Sequence, residues 1–175
     1  MSFLFTIVSL PILSNCKKID KLTQFTLSYK ERVVVPATAS INLPFNLFTP
    51  DITTNSESEF EVHDTRKERV ENIRLKTLNL TLIQPSNGQF SFLKSITIYI
   101  SAEGLPEEKI AWKDNIPANP GKQLELETAN TNLRDYIKKD KFKLRIALVT
   151  DEVLTSDQEV EVHSAFFVDA RVLGQ

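Results

Sequence analysis

LKTLNLTLIQPSNGQFSFLKSITIYIS, residues 75–101, decides the fold. Leu78, Leu80 and Leu82 alternate with Thr77, Asn79 and Thr81, and Ile96, Ile98 and Ile100 alternate with Thr97, Tyr99 and Ser101. A period of two puts one kind of residue on each face of a strand, so each run predicts a strand with one wet and one dry side. Between them, Pro85-Ser86-Asn87-Gly88 is a turn by composition, with Asn87-Gly88 able to take positive φ.

The same alternation extends outward along the chain. Phe25, Leu27 and Tyr29 share a face, and Arg32 to Ala37 adds a β-branched run. Ile41, Leu43, Phe45 and Leu47 alternate, with Pro44 marking an edge strand or a bulge. From Ile52 to His63, Phe60 and Val62 alternate with Glu59, Glu61 and His63, which predicts another strand. The charged DTRKER stretch at 64–69 is a connection, and Val70, Ile73 and Leu75 lead into the leucine strand. Lys109 to Trp112 and Gln123 to Glu127 are short strands around the proline-rich loop NIPANPG, 115–121. Phe142, Leu144, Ile146 and Leu148 alternate, as do Val160, Val162, Ser164 and Phe166. Residues 130–139 predict the one helix: Asn130 caps it, and Leu133, Tyr136 and Ile137 fall at i, i+3, i+4. Eight or nine strands with one short helix predict an all-β, antiparallel β-sandwich of immunoglobulin-like type.

Composition narrows the chemistry. A formal charge of −2 lacks the basic excess that nucleic acid rewards, so no nucleic-acid partner is expected. Four glycines stand where average usage gives about 12. No GxGxxG or GxxxxGK[ST] phosphate loop occurs, nor the GxSxG or SxxK of serine nucleophiles. The two histidines, His63 and His163, occur in matching Glu-Val-His contexts. Convergence of both with Glu61, Glu161 or Asp64 would make a zinc site, but each histidine shares glutamate's parity, the solvent side of a strand. Neither Glu57, Glu59 and Glu61 nor Glu107-Glu108 is marked as a buried carboxylate pair for glycoside hydrolysis. No catalytic residue, metal ligand or cofactor is assigned, and the chain is read as no enzyme. Trp112, the only tryptophan, stands beside proline-rich loops, and Tyr99 shares the Thr97/Ser101 face. Exposed rings of this kind stack sugars, so Trp112 and Tyr99 are the candidate ligand contacts. The run Lys138, Lys139, Lys141, Lys143, Arg145 is a helix end followed by a strand's wet face, and it suits anionic headgroups, diluted by Asp135 and Asp140.

The amino-terminal segment gives an address. Residues 1–16, MSFLFTIVSLPILSNC, contain no charge, run apolar from Phe3 to Leu13, and end on the only cysteine. That apolar core suits a secretory signal and is too short to span a bilayer. Leu13-Ser14-Asn15-Cys16 resembles the lipobox of bacterial lipoproteins, in which the cysteine receives diacylglycerol and the preceding peptide is removed. The chain then divides into a signal peptide 1–15, a lipidated tether 16–23 and a β-sandwich domain 24–175. With Cys16 acylated, the mature domain holds no free thiol and forms no disulfide. A lipobox, a Lys-rich tether and one compact β-domain, with FSFLKSITIYIS at 90–101 its most distinctive stretch, resemble the small lipoproteins of unknown role common in Bacteroidota. The resemblance implies a non-enzymatic binding or structural module, held to the membrane by acyl chains on Cys16, with an envelope protein or a glycan as partner. In that group an acidic doublet after the first lysine marks surface export. Lys17-Lys18-Ile19-Asp20 lacks it, which implies the periplasmic face of the outer membrane. Surface glycan binding or adhesion is the competing expectation, and a hydrolase a distant third.

Overall fold

The computed structural model describes residues 24–171. The apolar leader, Cys16, the tether 17–23 and residues 172–175 lie outside the described residues. In chain order the elements are β1 (Gln24–Val35), β2 (Pro44–Phe48), β3 (Ile52–Thr53), α1 (Ser56–Val62), β4 (Val70–Gln84), β5 (Leu93–Ser101) and β6 (Glu108–Asp114). β7 (Gln123–Glu125), β8 (Glu127–Thr128), α2 (Arg134–Ile137), β9 (Lys141–Thr150) and β10 (Gln158–Ala170) complete them. No described helix is long and apolar enough to cross a membrane.

Two antiparallel sheets form, one ordered β1-β10-β4-β7 and the other β2-β9-β5-β6-β8, with β3 paired to the start of β9. Leave β3 and β8 aside. The remaining strands pair first with last (β1–β10), second with seventh (β2–β9), third with sixth (β4–β7) and fourth with fifth (β5–β6). That pattern is one long antiparallel hairpin wrapped into two facing sheets, a jelly roll. The expected all-β antiparallel sandwich is therefore what forms. Its immunoglobulin-like character holds at the level of two stacked sheets, and its strand order is that of the jelly roll.

The alternating runs supply the core between the sheets. Leu78 and Leu80 of β4 and Phe166 of β10 face Ile98 and Ile100 of β5 and Leu144 of β9, each almost fully buried. Burying each such side chain contributes roughly 1.5–3 kcal/mol, before the entropy of ordering it. Pro44 opens β2, an edge strand where its missing N–H costs nothing, as its place in the sequence predicts.

Four local expectations are corrected. Gln24–Tyr29 and Arg32–Ala37 are not two runs but one continuous twelve-residue strand, β1. Its charged centre is accommodated because β1 is an edge: Lys30 and Arg32 point outward to Glu161 and Glu159, at 3.4 and 2.9 Å. Glu31 points inward between Tyr29 and Val33, half-buried, and burial pushes its carboxyl up from the usual range. Residues 56–62 form a helix, not a strand. Ser56 and Phe60 are buried one helical turn apart, Glu57 and Glu59 suit the first turn, and Val62 is left 76% exposed. The second helix is shorter than predicted and starts at Arg134, not after Asn130. Asn132 instead accepts from the backbone N–H of Arg134 at 3.0 Å and of Ile73 at 3.2 Å, tying α2 to β4. Neither Asn87 nor Gly88 adopts positive φ. Gly88 is needed for space, since a Cβ there would lie 2.7 Å from Leu82 Cδ2.

Candidate functional site: the outer face of the six-stranded sheet

β6 decides what this face presents. Ile98 pairs with Ala111 and Tyr99 with Lys109, so Ile110 is an extra residue, a β-bulge. Ile110 and Ala111 both turn into the core, each 0% exposed. Unbroken alternation would bury Trp112 beside Ile110. The bulge shifts the parity and brings Trp112 out, half-buried, opposite Thr97.

Trp112 thereby joins Tyr99 on one sheet face. Two cross-strand rows carry them. One runs Asn46–Ala147–Thr97–Trp112–Glu127, the next Phe48–Arg145–Tyr99–Lys109. The first row is small at its centre, with Ala147 against Thr97, while the second ends in Phe48, 64% exposed.

Each ring is met by a cation. Lys109 Nζ lies 4.3 Å from the centroid of the Trp112 ring, and the Arg145 guanidinium lies 4.0 Å from that of Tyr99. Arg145 is also fixed by its partners. Its Nε and Nη2 donate to Glu107 Oε1 and Oε2 at 2.8 and 2.6 Å, and Nη1 donates to Asn46 Oδ1 at 2.8 Å. The fork geometry makes this a bidentate pair. Hydrogen bonds from Arg145 hold the Glu107 carboxyl below its ordinary range, and the bond to Glu107 raises Arg145 in turn. The two rings can be named from the sequence as candidate contacts. Arg145, Glu107 and Asn46 cannot, because only the fold brings together residues so distant along the chain.

The histidines do not converge. His63 ends α1 with its ring stacked on Phe25 at 3.9 Å. His163 lies on the outer face of the other sheet, paired with Lys30 and Asn79, in a groove of about 680 Å³ shared with Glu161. Glu61 and Asp64 stay exposed at α1 and the turn after it. Among the described residues no group of three or more His, Cys, Asp or Glu side chains is placed to hold a metal ion. Glu57 pairs with Lys67 at 3.4 Å, and Glu108, the first residue of β6, accepts from the Thr131 hydroxyl at 3.5 Å. Tyr29 belongs to the core, its ring 5.2 Å from Phe142 and its hydroxyl donating to the Thr54 carbonyl. Burial, with Glu59 nearby, raises its pKa far above the ordinary phenol range.

The bare edge of β1 is a second surface, and it is guarded. Outward Lys30 and Arg32 with inward Glu31 are devices that discourage pairing by an incoming strand.

No protein-family model matches the sequence, and no curated protein matches it. Among solved structures the chain is similar to Desmodium yellow mottle tymovirus, at 12% identity and a TM-score of 0.28, over 100% of this chain and 94% of that one. An empty head of turnip yellow mosaic virus gives 11% identity and a TM-score of 0.28, covering 99% of this chain and 90% of that one. Cocksfoot mottle virus gives 8% and 0.26, covering 98% and 95%. At such TM-scores the likeness carries no weight for this chain's function.

Proposed function

We propose that this chain is a lipid-anchored, non-enzymatic binding module of a bacterial cell envelope, tethered through Cys16 on the periplasmic face of the outer membrane. The outer face of the six-stranded sheet is its contact surface. The observation that carries the contact is the β6 bulge, which brings the only tryptophan out beside Tyr99. Support for the anchor comes from the uncharged run Phe3 to Leu13 and the Leu13-Ser14-Asn15-Cys16 sequence that ends it. Several acyl chains add about 0.8 kcal/mol per buried CH₂, enough for stable attachment.

Intact-mass analysis of the protein from its native membrane fraction tests the anchor. The expected mass is that of residues 16–175 plus two or three acyl chains, and Cys16→Ser is expected to release the protein from the membrane fraction. An unmodified mass that includes residues 1–15 sinks the anchor.

A glycan ligand is the second reading, favoured by Trp112 standing beside the small Thr97–Ala147 pair, which leaves room against the ring. Electrophoresis through gels containing envelope polysaccharide tests it. Retardation that Trp112→Ala abolishes favours a glycan, and mobility that ignores polysaccharide leaves a protein partner.

A further inference from the structure

At the end of the sandwich where β9 begins, a cavity of about 590 Å³ is lined by four lysines. Lys138 and Lys139 follow α2, and Lys141 and Lys143 project from the outer side of β9. Three carboxylates also line it, and they do not balance the lysines. Asp51 is shared, 3.1 Å from Lys143 and 3.9 Å from Lys141. Asp140 is engaged by Lys67 at 3.4 Å, outside the cavity lining. Glu103 forms no ion pair among the described residues, and neither Lys138 nor Lys139 has a carboxylate partner there. Four ammonium groups around one cavity, two of them sharing one counterion, favour an anion with several oxygens.

The chain's own path says which anion is near. β1 starts at this end, with Phe25 against Phe60 and His63 of α1, and 23 residues precede Gln24. Residues 17–23 span at most about 25 Å when fully extended. An anchor at Cys16 would therefore hold this end of the sandwich close to the headgroups. We propose that the lysine cavity takes the phosphate of an anionic phospholipid headgroup, docking the domain end-on against the bilayer. Placing the membrane at this end rests on the anchor reading above. α1 exposes Glu57, Glu59 and Glu61 at the same end, so docking tilts the sandwich to bring the cavity, not α1, to the surface.

The test uses the full chain with Cys16→Ser, so that no acyl chain contributes, and co-sedimentation with vesicles at low salt. Vesicles of phosphatidylcholine alone are compared with phosphatidylcholine mixed with phosphatidylglycerol. The apolar leader and the tether lysines are common to every variant, and the readout is the preference for anionic over neutral vesicles. Each lysine at an anionic surface strengthens binding roughly fivefold, so Lys138→Gln/Lys139→Gln is expected to lower that preference about 30-fold. Lys94→Gln/Lys122→Gln removes the same charge at the opposite end, where Lys94 reaches Asn42 and Lys122 reaches Ser86. It is expected to leave the preference unchanged. Equal losses from the two pairs would mean bulk charge and overturn the site, as would absence of any anionic preference. Thermal stabilisation by inorganic phosphate without vesicle binding would assign the cavity to soluble phosphate and overturn the lipid source. An unmodified mass in the intact-mass experiment, together with this vesicle preference, would sink the anchor and leave the cavity standing.

Discussion

β4 bulges against β10 at three places, Glu71, Lys76 and Ile83, while β6 bulges once against β5, and the middle bulge of β4 and the bulge of β6 face opposite ways relative to the core. In β4, Leu75 pairs with Phe166 and Thr77 with Ala165, so Lys76 is unpaired and exposed next to half-buried Thr77. In β6, the doubled positions are Ile110 and Ala111, both in the core. An outward bulge occupies no interior volume. An inward one must fit two side chains against the single Ile98 opposite, which is why one of the two is alanine. Their consequences differ as well. The β4 bulge keeps the apolar side of a long strand facing in across a change of parity, whereas the β6 bulge turns the next residue, Trp112, to solvent.

The largest effect that separates the two is overpacking. Ala111→Leu places a branched side chain where there is no free volume, and is expected to cost about 1–3 kcal/mol. Urea unfolding gives the stability, and the fluorescence of the only tryptophan should shift, since Trp112 is the next residue. A variant as stable as the parent would show that β6 does not bulge inward.

The β4 shift can be read in the sequence and the β6 shift cannot, for a physical reason. β4 is fifteen residues long, so its core positions visibly pass from 73 and 75 to 78, 80 and 82. β6 has seven residues, too few to establish a parity before it changes. In α1 the alternation misleads: Phe60 and Val62 fit a strand, yet Phe60 is buried with Ser56 at helical spacing and Val62 is not. Long alternating runs specified the sandwich because every second side chain needs the core. At the candidate site Tyr99 was legible on a wet face with Thr97 and Ser101, whereas Trp112 was legible only as a lone ring beside proline-rich loops, its outward turn being set by the β6 bulge. The cations on their rings were not, since Arg145 and Tyr99 meet only by strand pairing.

That cation network gives the next largest effect. Glu107→Gln removes one half of a bidentate pair whose side chains remain 38% and 22% exposed, so solvent screening limits the loss to about 1 kcal/mol or less. The folded-state pKa of Glu107 is lowered, so its contribution is present above the ordinary carboxylate range and is lost as pH falls through the lowered value. Thermal melts of parent and variant should therefore differ at neutral pH and converge in acid. A gap that widens in acid would contradict the pairing seen here.

Lys76→Leu is the counterpart of the alanine substitution and should do least. Lys76 already stands in solvent, so a leucine there displaces nothing, and stability is expected to stay within about 0.5 kcal/mol of the parent. The value of the experiment lies in the ratio of the two leucine substitutions under one denaturant. A small loss at Lys76 with a large one at Ala111 fits one outward and one inward bulge. Equally large losses would mean that position 76 faces the core as well. Equally small losses would mean that β6 does not bulge inward, and the outward turn of Trp112, on which the candidate contact surface depends, would then lose its physical cause.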